Sequence, residues 1–111
     1  MATVTAKNLV ASKFLENAQA TQYTATNVKA LIDKCTVTNV TASAATFSLN
    51  LITTGTADDS NLIIKNVSVA AGQAYLCPEI VGHILESGGS ISTNASANNA
   101  LVFRVSGREV A

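Results

Sequence analysis

Few side chains in this sequence can take up protons, bind metals or attack carbonyls, and their spacing limits what they could do. His83 is the single histidine. A nucleophilic triad needs a base, a nucleophile and an orienting carboxylate. Glu86 and Ser87 lie near His83, but no elbow motif surrounds a serine, so His83 is expected at the surface or in a turn. A lone histidine also excludes the usual histidine-rich metal sites. Asp58 and Asp59, in TADDSN, form the one adjacent acidic pair. A calcium loop needs six or more oxygen ligands in a set order, and two neighbouring carboxylates read instead as a solvated loop tip. Glycoside hydrolysis would need paired carboxylates from distant residues. Cys35 and Cys77 show no CxxC or Cys/His spacing for zinc. They read as two small buried hydrophobes, joined in a disulfide only if their strands are adjacent. Gly88 and Gly89 precede a strand, not a helix, and make no phosphate cradle. Tyr23 and Tyr75 are the rings that could stack on a saccharide. No catalytic, cofactor or metal site is therefore expected.

The elements that must position these residues follow a period of two. Phe47, Leu49 and Leu51 alternate with Thr46, Ser48 and Asn50, as in a strand with one buried face. Over Leu31–Asn39, Cys35 and Val37 take the inward parity. Asp33 shares it, so that strand must leave the core before reaching Asp33. NVTASA between the two runs predicts a turn, and the pair a β-hairpin. Thr54–Ser60 reads as a loop. Asn61–Val69 reads as a strand whose parity changes before Val67 and Val69, which predicts a bulge. Ala70–Gln73 predicts a turn on Gly72. Ala74–Cys77 is a short strand stopped by Pro78, and Glu79–Leu85 a loop leading into another. After the SGG turn, Ser90–Ala95 and Ala100–Ser106 predict a last hairpin around ANN. Leu101, Phe103 and Val105 take its inward positions, and Gly107 is expected to break the strand between Arg104 and Arg108. Thr3–Ala6 and Gln22–Ala25 are strand-prone, and Leu9–Asn17 reads as a strand or as helical turns.

Seven to nine short strands with regular turn signals predict an all-β chain, an antiparallel β-sandwich or jelly roll. The length fits a single domain, with residues 1–20 as an N-terminal arm or first strand and residues 21–111 as the sandwich. Hydrophobic residues make up 48%, but aromatics only 5%, so Val, Leu, Ile and Ala must form the core. Charged residues are 13% and cancel, seven against seven, which leaves a surface of Thr, Ser, Asn and Ala. No basic run marks a nucleic-acid footprint. No apolar run is long enough to span a bilayer, and the first residues lack the apolar region of a signal peptide. The expectation is a protein made in a cytosol, with no nucleic-acid or membrane partner. The sequons at Asn39, Asn66 and Asn94 are accordingly read as unglycosylated.

The order of local motifs also resembles a known group. Tyr23-Thr24-Ala25 comes first, then a strand ending Thr38-Asn39. The Ala71-Gly72 turn, the Leu85–Ile91 turn and a closing Val105–Glu109 follow. Over Thr21–Val110 this order resembles small β-sandwich virion proteins of tailed phages. Their turn often carries Gly-Asp before the isoleucine; here it is Gly88-Gly89-Ser90, so any role of that acid is missing. Length and all-β pattern are similar to the capsid decoration, or cement, proteins of epsilon-fifteen-like short-tailed phages. The resemblance implies a jelly roll on the capsid exterior of a virion built in the host cytoplasm. It would clamp neighbouring copies of the major capsid protein, with self-association as dimers or lattice contacts. Related sandwiches occupy tail, neck and fibre positions, and a carbohydrate-binding module is a further alternative. A protein that binds only the assembled lattice stabilises it by about 2.7 kcal/mol per site at about 100 times its Kd. Ala2–Phe14, with small alternating residues and two lysines, is the expected arm onto a capsid subunit. Lys7, Asn8, Leu9, Lys13 and Phe14 are its contact residues, and its removal is expected to abolish binding but leave a folded domain. The other reading of this segment is the first strand of the sandwich.

Overall fold

A computed structural model describes residues 3–111. Alternating β-branched and hydroxyl residues bury one face and wet the other, and the described residues accordingly form nine strands in two antiparallel sheets stacked as a sandwich. The strands are β1 (Val4–Phe14), β2 (Ala20–Thr24), β3 (Lys29–Asn39), β4 (Ala45–Ile52), β5 (Leu62–Val69), β6 (Ala74–Tyr75), β7 (Ile84–Leu85), β8 (Ser90–Ala95) and β9 (Leu101–Val110). One 3-10 turn, Asp59–Asn61, precedes β5. Sheet A runs β1-β9-β3-β6, with β7 also on β3, and sheet B runs β2-β8-β4-β5. With β6 and β7 counted as two pieces of one interrupted strand, this is the interleaved order of an eight-stranded jelly roll.

The core lies between the sheets and is mainly aliphatic. Phe47, Phe103, Leu15, Ile32 and Leu49 are its largest fully buried side chains. Each such burial is worth about 1.5–3 kcal/mol. The expected inward parity holds at Phe47, Leu49, Cys35, Val37, Leu101, Phe103 and Val105, with Leu51 half-buried against the core. Tyr75 of sheet A meets Phe47 of sheet B edge-on, with ring centroids 6.0 Å apart.

Two expected hairpins are arches instead. β3 and β4 lie in different sheets, as do β8 and β9. The short links 40–44 and 96–100 carry the chain across the sandwich rather than back along a neighbour. Period-two alternation is the same in both cases, because an arch also keeps both apolar faces on the core. Asp33 leaves the core through a bulge between Ile32 and Lys34, which moves the buried parity from Ala30 and Ile32 to Cys35 and Val37. The bulge before Val67 is present: Asn66 adopts φ 48°, donates its N–H to Ser48 Oγ at 2.9 Å and accepts from that hydroxyl. Gly72 supplies the turn before β6 at φ 72°.

Gly107 does not end a strand. β9 continues through it to Val110. A Cβ there would lie 2.0 Å from the Leu31 carbonyl oxygen and 3.0 Å from Leu9 Cδ1, so glycine lets β1, β9 and β3 close up. Residues 4–14, left open as arm or strand, form an 11-residue strand paired with β9 from Val4–Val110 to Phe14–Val102. Ala2, where the expected arm begins, lies outside the described residues. Removing this strand would uncover β9 and take Leu9 and Val10 from the core, so a folded remainder is no longer the expectation.

Candidate functional site

The groups with chemical potential do not converge. The His83 side chain is exposed, while its backbone ties Ile32 to the Ile80 turn. Glu86 pairs with Lys29 at 3.4 Å, and no hydrogen bond joins His83 to Glu86 or Ser87 among the described residues. Asp58 caps the 3-10 turn: it accepts from Ser60 N–H at 2.8 Å and from the Ser60 hydroxyl, and these bonds lower its pKa. No group of three or more His, Cys, Asp or Glu side chains spaced to hold a metal occurs among the described residues. The two tyrosine rings pack against the core and their hydroxyls are committed, Tyr23 to Glu109 and Tyr75 to Glu79. Partial burial, then the Glu79 contact, pushes the Tyr75 pKa up to about 12.

A shallow cleft of about 270 Å³ lies on the outer face of sheet B, with Asn50, Asp58, Asp59 and Asn94 in its lining. Its floor is internally satisfied. Asn50, outward by parity yet 3% exposed, donates to Asp58 O at 3.0 Å and Asn61 Oδ1 at 2.7 Å. Gln19 bridges Asn50 Oδ1 and Ser92 Oγ. This network fastens the 53–61 loop and the link before β2 onto the sheet. Sequence parity placed Asn50 in solvent; Thr54–Ser60 was legible as a loop, but no pattern announced that it folds back over Asn50.

The outer face of sheet A carries no such cover. Directly opposed residues of antiparallel strands share a face, so the inward parity of Phe103 and Val105 turns Val102, Arg104, Ser106, Arg108 and Val110 outward. The register adds Val4, Ala6, Asn8 and Phe14 from β1, Lys29, Leu31, Lys34, Thr36 and Thr38 from β3, and Ile84 from β7. At one end Val4, 59% exposed, pairs with half-buried Val110, and Ile84, 54% exposed, pairs with half-buried Leu31; the register sets Lys29 opposite Val110 and Arg108 opposite Leu31, so cations stand between the two apolar pairs. At the other end Phe14, 43% exposed, sits beside Val102. The middle is polar and held. Arg108 grips Asp33 through two bonds of 3.0 and 2.9 Å, Arg104 donates to Ser12 at 3.0 Å, and Ser106 donates to Asn8.

β1 is also an unpaired sheet edge. Thr3 and Ala111 exchange both backbone hydrogen bonds at 2.9 Å. By the antiparallel alternation, Thr5 and Lys7 then point N–H and C=O at β9, while Val4, Ala6 and Asn8 point theirs at solvent. Bulges between Asn8 and Val10 and between Val10 and Lys13 end this regular stretch, a common way to limit edge pairing.

The five expected contact residues therefore separate. Phe14 and Asn8 lie on the open face. Lys7 is at the rim, 3.4 Å from Glu109, and Lys13 is 3.2 Å from Glu16. Leu9 is only 7% exposed, packed under the strand pair and out of a partner's reach; its adjacency to buried Val10 follows from the bulge. Val4, Ile84 and Val110 were not anticipated, although their joint placement needs only the sheet order.

No family model matches this chain, and no curated protein or solved structure matches it either.

Proposed function

We propose that the protein is a structural component of a tailed-phage virion, a capsid decoration (cement) protein. It would bind the outer shell, staple neighbouring major capsid protein subunits and perform no reaction. The observation that carries this reading is the outer face of sheet A: a sheet that no described residue covers, with exposed apolar side chains near both ends, polar pairs across its middle and an unpaired strand edge beside it. Exposed apolar patches rimmed by polar groups mark protein contact surfaces, and sheet edges accept partner strands. The jelly-roll order adds a fold-level analogy, since viral capsid domains share it. Four ion pairs among the described residues and zero net charge keep long-range attraction to packaged nucleic acid low.

The test is to locate the protein on purified particles by electron microscopy and to compare a Val4→Lys/Ile84→Lys variant. Regular density on the shell, and at least about tenfold weaker binding of the variant, the equivalent of about 1.4 kcal/mol, is the expected result. An unchanged circular dichroism spectrum would show that the variant still folds. Density confined to a tail or neck would move the protein to those positions, and its absence from particles would overturn the virion reading. Wild-type binding by the variant would remove this face as the contact.

A further inference from the structure

Cys35 and Cys77 are distant in sequence and both fully buried. The β3–β6 register pairs Val37 with Tyr75 and Thr38 with Ala74; Cys77 follows two residues past Tyr75, where the chain leaves the strand at φ 49° with its side chain buried, on the side of β3 that carries Cys35. Both thiols belong to the core cluster, and the Cys77 thiol donates to the Tyr75 carbonyl oxygen at 3.8 Å. A disulfide needs Cα atoms about 4.4–6.8 Å apart, a span that residues on neighbouring antiparallel segments supply. The adjacency that a disulfide requires is therefore met, although both thiols are free here.

We propose that Cys35 and Cys77 are a built-in oxidation site, converted to an intramolecular disulfide by a small-molecule disulfide of the glutathione type. One cysteine thiolate attacks the oxidised glutathione, forming a mixed disulfide and releasing one reduced glutathione. The second cysteine then attacks the protein sulfur of that mixed disulfide and expels the other glutathione. In sum, two thiols lose two electrons and two protons, and one glutathione disulfide becomes two glutathiones. The bond would tie the β6–β7 segment, which leaves β3 after Tyr75 and rejoins it at Gly82, to the centre of the molecule. Contact with Cys77, burial and the Glu79 carboxylate all hold the Cys35 thiol in its protonated form. The native pair is thereby shielded, and oxidation proceeds during folding or when this segment opens. The site is independent of the proposed virion role.

The experiment refolds the full chain from urea in mixtures of reduced and oxidised glutathione, with parallel samples held in urea. The expected folded product is monomeric, lighter by two hydrogen atoms, and yields a peptide pair linked through Cys35 and Cys77. Its oxidised-to-reduced ratio exceeds that in urea by about a hundredfold or more, because native contact raises the effective concentration of one thiol at the other. Its Tm rises by about 10 °C and falls back on reduction. Cys77→Ala should form only the mixed disulfide, with no such rise. Folded protein keeping both thiols under excess oxidised glutathione would overturn the proposal. So would a native ratio no greater than that in urea, a comparison that stands even if Cys77→Ala does not fold.

Discussion

Asn39 has no solvent exposure, yet its side chain is fully bonded. Its amide nitrogen donates to Ser43 O at 2.7 Å and Val69 O at 2.9 Å, and its oxygen accepts from Thr41 N–H at 2.9 Å and the Thr41 hydroxyl at 2.7 Å. It thus ties the end of β3 to the arch and to the end of β5. Asn39→Leu would strand these groups, and urea denaturation should show a loss of about 2–4 kcal/mol. Tyr23 makes a second residue-scale prediction. Burial and then the Glu109 carboxylate raise its pKa above the ordinary 10.0, and the Tyr23 hydrogen bond, helped by Lys7, lowers Glu109 below 4.5. The raised group contributes stability that is complete below pH 10.0 and is lost as pH climbs toward its folded value. The lowered group contributes stability present above pH 4.5 and lost as pH falls through its folded value. Tyr23→Phe should lessen both slopes in a series of melts across pH, with little change near neutrality in their shape. Equal slopes in the two proteins would contradict the assignment.

At the scale of the strand, β1 offers a paired comparison. Ala6 points its N–H to solvent and Lys7 points its own toward β9. Proline at an edge position facing outward is tolerated, whereas proline facing the neighbouring strand removes a ladder bond. Ala6→Pro should therefore change the denaturation free energy by under about 1 kcal/mol, and Lys7→Pro should cost about 3 kcal/mol or more. If partners add a strand here, Ala6→Pro should also weaken particle binding in a sedimentation assay. The strands themselves were legible wherever the alternation was clean, as at Phe47–Leu51 and Leu101–Val105. It was not clean in β1, where the bulge makes Leu9 and Val10 neighbours in the core and disguises a strand as a possible helical turn. Sheet membership was not legible at all. Alternation records which side of a strand is buried and is silent about which strand lies beside it, so two arches looked like hairpins. Gly107 was misread for a related reason: its need for space comes from Leu31 and Leu9, both far away in sequence. The open face was half legible for the same cause, Phe14 and Asn8 being visible in one segment while the pairs Val4–Val110 and Leu31–Ile84 come from four strands that only the sheet order brings together.

For the molecule as a whole, charge contributes little to cohesion. Of the four ion pairs among the described residues three are solvent-exposed and the Lys7–Glu109 pair is half-buried at Glu109, and the balance of seven basic and seven acidic residues leaves no net field to relieve. Exposed pairs are worth about 0–1 kcal/mol each and are screened by salt. The unfolding free energy should accordingly shift by less than about 1 kcal/mol between about 0.05 and about 1 M sodium chloride; a larger fall would mean that electrostatics carry more of the fold than its geometry implies. The strand order has a further consequence. Only β4 and β5 are neighbours both along the chain and within a sheet. Sheet A is centred on β9 and β3, so β1 has nothing to pair with until the final strand exists. A ribosome-bound chain lacking residues 101–111 cannot close that sheet. Folding must wait until β9 has emerged, starts from contacts distant along the chain, and belongs to the slow, millisecond-to-second class of β topologies. A nascent chain halted just short of Leu101 should remain open to protease throughout.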